Sequence, residues 1–344
     1  MEIRCATFEA GYRELMSALG RPDYVCRPRG QLVHELLGFS LVLDDPRARL
    51  LASPARAADR GFGAGEFCWY LRGADDLESI EYYSRRMRDF SDDGLTLASA
   101  YGKRLRAEAL AGRGSGRTYT QWQNVVEELS RDHDSRRAAM TICQPADLAR
   151  ALAPDGAKDV PCTLSMQFLV RRDRYGGDDY YHKLYARGRD VPRLHLVVTM
   201  RSCDAVWGLT NDLFSFTLLQ EVMLLDLRAA GLTDLELGTY RHQAASMHVY
   251  ERHFEMAAAV ATETDAANGH ELAMLPINDA ADLTYLLDVE ARMRADPAHC
   301  TTLATAIRAN ARTVVDAHGG AGQLALWLAL HRVKRDADAA RRLA

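Results

Sequence analysis

The chain predicts an α/β fold, on two observations. A β-rich run from Leu194 to Met200 stops abruptly at the polar cluster Arg201-Ser202-Cys203-Asp204, and beyond a turn at Gly208 a long apolar helical stretch covers residues 213–229. Elsewhere, short alternating strand-like runs are interspersed with helix-like ones. Strand, polar cluster, turn and helix start, in that order, bring a guanidinium, a hydroxyl and two carboxylates to one end of a sheet.

The 344 residues suffice for one large domain or two ordinary ones. A hydrophobic share of 48% with 26% charged residues is that of a soluble globular chain, and the net charge of −4 offers no footprint for a nucleic acid polymer. Charges inside the first helix-like stretch argue against a signal peptide or anchor. No apolar run approaches the ~18 residues a bilayer span needs, so no membrane partner is expected. The seven cysteines stand singly, with no C-x-x-C pair. That pattern points to a reducing, cytoplasmic compartment and away from structural zinc or a disulfide framework.

Taken in order, residues 1–22 carry helical spacing up to Arg21-Pro22. Residues 25–44 open with Arg27 and Arg29 beside Gly30 and run into an alternating strand, Phe39 to Leu43, which Asp45-Pro46 breaks. An apolar helix follows within Phe62–Gly73, with Glu66 as its carboxylate. Tyr101-Gly102-Lys103 precedes a glycine-rich loop at 112–117, which lacks the Lys-Ser/Thr of a phosphate cradle. Gln121 to Arg137 reads as a helix followed by a D-x-x-S-R-R turn, then a strand from Ala138 to Ile142 and another opened by Pro161-Cys162. Residues 171–193 have the look of a charged loop insertion. His248 and Tyr250 lie two apart, on one face of a strand. Helix-like segments at 279–295, 300–318 (ended by Gly319-Gly320) and 322–343 close the chain. The spacing of Leu324, Trp327, Leu328, Leu330 and Val333 suits packing onto the main body or a partner.

Several side chains admit two readings. A lone cysteine at a strand start is ordinarily a small buried hydrophobe; as a nucleophile, Cys162 needs a neighbouring cation. Glu66 is either a surface residue or a proton handler with a raised pKa. Asp212 is either an N-cap for the helix at 213–229 or a ligand-facing carboxyl. His242, His248 and His253 lack the spacing and carboxylate pattern of a zinc site.

In these residues the chain resembles the thymidylate synthase family. Arg201-Ser202, Asp204, Gly208 and Thr210-Asn211-Asp212 are similar to its R-S-x-D-x-x-x-G-x-P-F-N stretch. Glu66, Trp69, Leu71 and Gly73 match its E-x-x-W-x-L-x-G helix, and Tyr101-Gly102-Lys103 its Y-G-K element. The D-x-x-S-R-R turn is another family element, and Ser246 to His253 resembles D-x-H-x-Y-x-N-H, with Ser246 and Arg252 as departures. The motifs recur in family order over roughly residues 25–255. The resemblance implies an α/β, thymidylate synthase-like mixed sheet with helices on one face and a homodimer formed through the other. It implies a catalytic domain over residues 1–275, and leaves 276–344 as a helical extension packed on the same body, where the family has a short tail that closes over the folate.

The resemblance also implies roles. Cys162 would add to C6 of a pyrimidine nucleotide, with 5,10-methylenetetrahydrofolate as co-substrate and no metal; addition makes C5 the carbon of an enamine that can attack a one-carbon unit. Arg201 would be the cation beside it. Arg201 and Ser202 would hold the 5′-phosphate, with Arg136 and Arg137 supplied by the second subunit and one of Arg27 and Arg29 completing the set. Glu66 would organise water and proton transfers, His248 and Tyr250 would bind the sugar hydroxyl, and Asp204 and Gly208 would meet the folate. An ungapped count back from Tyr101 puts Met87, with Phe90 close by, where the family places an aromatic shield over the exocyclic methylene.

Asp212 replaces the family's asparagine. A carboxamide matches the N3–H and O4 of uracil, whereas a carboxyl can accept from N4 of cytosine and share a proton with N3. In this the chain resembles the cytidylate hydroxymethylases, including the branch that acts on CMP in mildiomycin biosynthesis. Thr163, where the family usually has His after the nucleophile, and Met87 point towards water rather than hydride reaching the intermediate. CMP or dCMP is the expected substrate; dCMP hydroxymethylation, thymidylate synthesis proper and a catalytically silent nucleotide-binding relative stay open.

Overall fold

Alternation decides the first element. Ile3 and Cys5 are buried between exposed Glu2 and Arg4, so the helix expected over residues 1–22 is instead strand β1 (Glu2–Cys5) followed by a helix at Phe8–Leu19. Period-two burial wins because β1 finds a parallel partner, pairing Glu2–Cys5 with Ser40–Leu43 of β3 (Val33–Leu43). The computed structural model describes residues 1–110, 118–154, 156–172, 191–264, 272–295 and 297–343. The glycine-rich loop at 112–117 and most of the expected insertion at 171–193 lie outside the described residues.

β2 is Tyr24–Cys26, β4 Ala139–Thr141, β5 Thr163–Arg172, β6 Pro192–Met200, β7 Cys203–Asp204 and β8 Glu236–Tyr250. The eight-stranded sheet runs β1-β3-β8-β6-β5-β4, with β2 added to β3 and β7 to β8. It is mixed as expected: β1–β3 and β6–β8 are parallel, while β3–β8, β5–β6 and β4–β5 are antiparallel. Leu194, Leu196, Val198 and Met200 of β6 and Met166, Phe168 and Val170 of β5 form its dry face. Against it lies the Gly208–Ala229 helix, apolar around nearly its whole circumference and therefore a core helix. The opposite face, with Ser165, Gln167, Val197 and Thr199, is half-exposed.

The last helices are Ala280–Ala295, Pro297–Ala309 and Ala311–Leu343. The break between the last two falls at Asn310, and Gly319 instead kinks the final helix, with φ of 49° and Pro276 O only 2.5 Å from where a Cβ would stand. These helices rest on the Arg60–Leu71 helix and its neighbours. Tyr83 Oη donates to Glu290 Oε1 at 2.8 Å, Trp327 packs 6.0 Å from Phe214, and Gly61 leaves the space that His331 fills. Leu330, expected to pack, is 44% exposed.

Candidate active site

Strand ends build the corner that holds Cys162. Cys162 stands one residue ahead of β5, and the Arg201 N–H, just beyond β6, donates to its carbonyl at 2.9 Å. The Arg201 side chain donates from Nε to Pro161 O at 2.9 Å and from Nη2 to Val160 O at 3.0 Å, clamping the turn. Arg201 was expected to favour the thiolate. Its charge and that of Arg29 do oppose the effect of burial on Cys162, but burial wins and the thiol pKa is raised. Burial thus favours the protonated thiol at Cys162.

Asp212 lies in the second turn of the Gly208–Ala229 helix, whose N-cap position is Trp207; the N-cap reading is thus wrong. The residue is partly accessible, although its carboxyl is deeply enclosed. Desolvation, then the charges of Glu66 and Asp204, raise its pKa far above the usual carboxylate range and favour the neutral acid. Glu66, from the Arg60–Leu71 helix, is buried, which pushes its pKa up to about 7. Ser215 Oγ donates to Glu66 Oε2 at 3.0 Å, and the Tyr70 hydroxyl bonds the same carboxyl. Neither Ser215 nor Tyr70 was singled out from the sequence. Helical spacing offered the signal, since Ser215 is three residues after Asp212 and Tyr70 four after Glu66. Tyr101 closes this side: the Thr163 N–H donates to its hydroxyl at 3.4 Å, and burial, with Asp212 and Cys162 close by, pushes its pKa well up.

On the other side, a Cβ built on Gly208 would lie 3.7 Å from Asp212 Oδ2 and 3.8 Å from Asp204 Cβ, at ordinary contact distance, so Gly208 stands beside both carboxylates. Asp204 Oδ1 accepts from the Val206 N–H at 2.9 Å. Trp207 carries the Arg86 guanidinium 3.9 Å from its ring centroid and meets Phe90 edge-on at 6.2 Å. Met87 sits between them in sequence, half-buried against the core in a turn at Arg85–Asp89. Trp207 went unremarked in the sequence because it occupies a variable position of the motif.

β7 and β8 bring Asp204 beside His248, whose ring meets Tyr250 at 5.1 Å. Of the two candidate arginines near residue 28, the charge of Arg29 acts on both Cys162 and His248. Arg29 also holds φ of 51°, a left-handed conformation that costs a non-glycine residue roughly 1–2 kcal/mol. Arg27 shows neither feature. Ser202 is half-exposed next to Arg201. Arg136 and Arg137 are not in this cluster. Arg137 Nε donates to Glu128 Oε1 at 2.8 Å, the Arg136 carbonyl accepts from Gln167, and neither arginine acts on Cys162. Gln167 is four residues along β5 from Thr163, roughly 13 Å at strand rise.

Among the described residues, no three His, Cys, Asp or Glu side chains could hold a metal ion. His242 Nδ1 and the Tyr240 hydroxyl are 2.8 Å apart, and burial drives the imidazole pKa down to about 3. No helix among the described residues is long and apolar enough to cross a membrane.

A sequence profile described as "Thymidylate synthase" matches residues 60–291. The chain belongs to the thymidylate synthase family. It is 30% identical over 218 residues to a deoxyuridylate hydroxymethyltransferase of Pseudomonas phage M6, covering 63% of this chain and 52% of that protein. A protein of the same description from Bacillus phage SP01 is 28% identical over 241 residues, 70% of this chain and 56% of the relative. The deoxycytidylate 5-hydroxymethyltransferase of Enterobacteria phage T4 is 25% identical over 239 residues, 69% of this chain and 83% of the relative. The chain spans about half the length of the first two relatives. In this chain Arg201 and Asp212 act on Cys162, and Glu66 acts on Asp212.

Proposed function

We propose that this protein is a pyrimidine nucleotide C5 hydroxymethyltransferase, converting CMP or dCMP, 5,10-methylenetetrahydrofolate and water to the 5-hydroxymethyl nucleotide and tetrahydrofolate. What supports the proposal is Asp212, an enclosed carboxyl whose field reaches Cys162 and whose neutral form desolvation favours. Cytosine N3 has a basic lone pair that uracil lacks, so an acid partner suits cytosine. The Cys162 thiol gives its proton to water as its sulfur bonds to C6, the displaced electron pair builds at N3, and the Asp212 proton meets it there while the carboxyl oxygen accepts from N4; C5 releases its own proton to water once it carries the new carbon. Arg29, Arg201 and Ser202 hold the phosphate, and His248 with Tyr250 the sugar.

The site fits a folate. Asp204 keeps Oδ2 unbonded among the described residues, for ring N–H donors, and Gly208 stands beside it without a side chain. When bound, the folate supplies the one-carbon unit to C5. Glu66, with its pKa near neutrality, is suited to take a proton from the water that completes the hydroxymethyl group, before the Cys162 sulfur departs. Turnover in oxygen-18 water is expected to place the label in the product's hydroxymethyl group, without accumulation of dihydrofolate. Met87→Trp should slow hydration or divert some product to the methyl form. Stoichiometric dihydrofolate from the unmutated protein would identify a thymidylate synthase and sink the hydroxymethyl assignment.

A uracil nucleotide is the second reading, favoured by the substrate named for two relatives. Product mass after incubation with each of CMP, dCMP, UMP and dUMP separates the two. On the first reading the ribonucleotide branch, as in mildiomycin biosynthesis, requires that CMP be preferred. Residues 1–275 then form the catalytic unit and 276–344 an extension on it.

The same proposal includes a homodimer through the half-exposed sheet face, with Arg136 and Arg137 of one subunit completing the phosphate site of the other. Both are exposed, and the Arg136 side chain has no bond among the described residues. Mixing inactive Arg136→Ala/Arg137→Ala chains with inactive Cys162→Ser chains is expected to restore activity, because one site of each heterodimer is then intact. No recovery, once subunit exchange is demonstrated by tagged chains, counts against a shared site.

A further inference from the structure

Residues paired directly across neighbouring strands share a face of the sheet. Asp204 pairs with His248 between β7 and β8, His248 with Glu35 between β8 and β3, and Glu35 with Tyr24 between β3 and β2. Four side chains therefore stand in one row across four strands. His248 is buried in the middle, and the charges of Asp204 and Glu35 both act on its imidazole. Glu35 is half-exposed. Its Oε1 accepts from the Ser246 hydroxyl, which also lies 3.5 Å from His248 Nδ1, and its Oε2 lies 3.8 Å from the Cys26 thiol. No cation is bonded to Glu35 among the described residues.

A carboxylate only accepts, and it offers about four lone-pair positions. One hydroxyl and one weak thiol donor leave Glu35 with spare acceptor capacity, next to the pair read above as binding the sugar. Arg29 acts on both Cys162 and His248, so a nucleotide lying from the sulfur to His248 brings its sugar to this row. A deoxyribose offers a single ring hydroxyl there; a ribose adds a second on the adjacent carbon. Dinucleotide-binding folds use an acidic side chain for the same purpose, accepting the ribose 2′-hydroxyl.

We propose that Glu35 accepts the 2′-hydroxyl of the substrate's sugar and thereby makes the ribonucleotide, CMP, preferred over dCMP. This rests on the assignment of His248 and Tyr250 to the sugar. If Glu35 only orients His248 through Ser246, its loss harms both nucleotides alike; if it reads the 2′-hydroxyl, the loss falls on the ribonucleotide.

The test is calorimetric binding of CMP and dCMP to the full chain without folate, with kcat and KM measured separately on each. The unmutated protein is expected to bind CMP about ten-fold more tightly than dCMP. Glu35→Gln, of the same shape, should weaken CMP about ten-fold through Kd and KM, leave kcat little changed, and keep dCMP within two- to three-fold. Glu35→Ala should bring the two nucleotides level. Equal affinities in the unmutated protein, or equal losses for both nucleotides in Glu35→Gln, would overturn the assignment of Glu35 and leave the hydroxymethyltransferase standing. If only uracil nucleotides bind, the base assignment has failed, and the same comparison of UMP with dUMP still decides Glu35. Binding of none of the four overturns both.

Discussion

Cys162→Ser is expected to lower turnover by about 10⁴-fold or more while nucleotide affinity stays within a few-fold. The substitution removes one sulfur and little else. The Arg201 clamp grips main-chain carbonyls of Val160, Pro161 and Cys162, so the turn keeps its shape when the side chain changes. Burial already raises the Cys162 thiol pKa against two arginines, and a hydroxyl, intrinsically harder to ionise, fares far worse in the same place. Ground-state binding draws on the phosphate and sugar contacts, whereas the sulfur contributes only as the bond to C6 forms. Single-turnover product analysis by mass, alongside nucleotide binding, separates the two effects. Substantial product from the serine variant would exclude the covalent route.

Asp212→Asn is expected to move base preference from cytosine towards uracil, by ten-fold or more in the ratio of kcat/KM values. Carboxyl and carboxamide have the same shape, so packing in the Gly208–Ala229 helix is hardly disturbed. What changes is the proton: the neutral acid can give it up to N3, and the amide cannot. A mismatched buried hydrogen bond costs roughly 1–3 kcal/mol, and 1.4 kcal/mol corresponds to ten-fold. The variant also loses the ionisable neighbour whose site adjoins Glu66. Competition between CMP and UMP, and between dCMP and dUMP, isolates the base from the sugar. Full retention of cytosine preference would remove the ground for assigning cytosine.

The motifs around residues 201–212 made the chemistry legible because their spacing is local: one strand end, one turn and one helix start. Cys162 and Glu66 were legible as candidates for the same reason, each at the edge or in the middle of a recognisable element. The first strand was not. Ile3 and Cys5 fit a helix or a strand equally well until β3 is there to pair with them, and four residues carry too little periodicity to decide. The N-cap reading of Asp212 failed because the helix begins four residues earlier, at Gly208, in a stretch with no capping side chain to mark it. Trp207 and Glu35 were silent because neither belongs to a fixed motif position.

Composition, alternation and motif order by themselves determined an α/β chain whose chemistry gathers where one strand meets one helix. The tertiary structure alone decided which groups share that place and in which direction their pKa values move. Glu66, Cys162 and Asp212 are separated by 96 and 50 residues in sequence, and only the sheet and the two helices behind it set their fields against one another. That Arg29 has a left-handed backbone and that its charge acts on Cys162 likewise came only from the fold. A pKa depends on desolvation and on charges a few ångströms away in space, and neither distance is written along the chain.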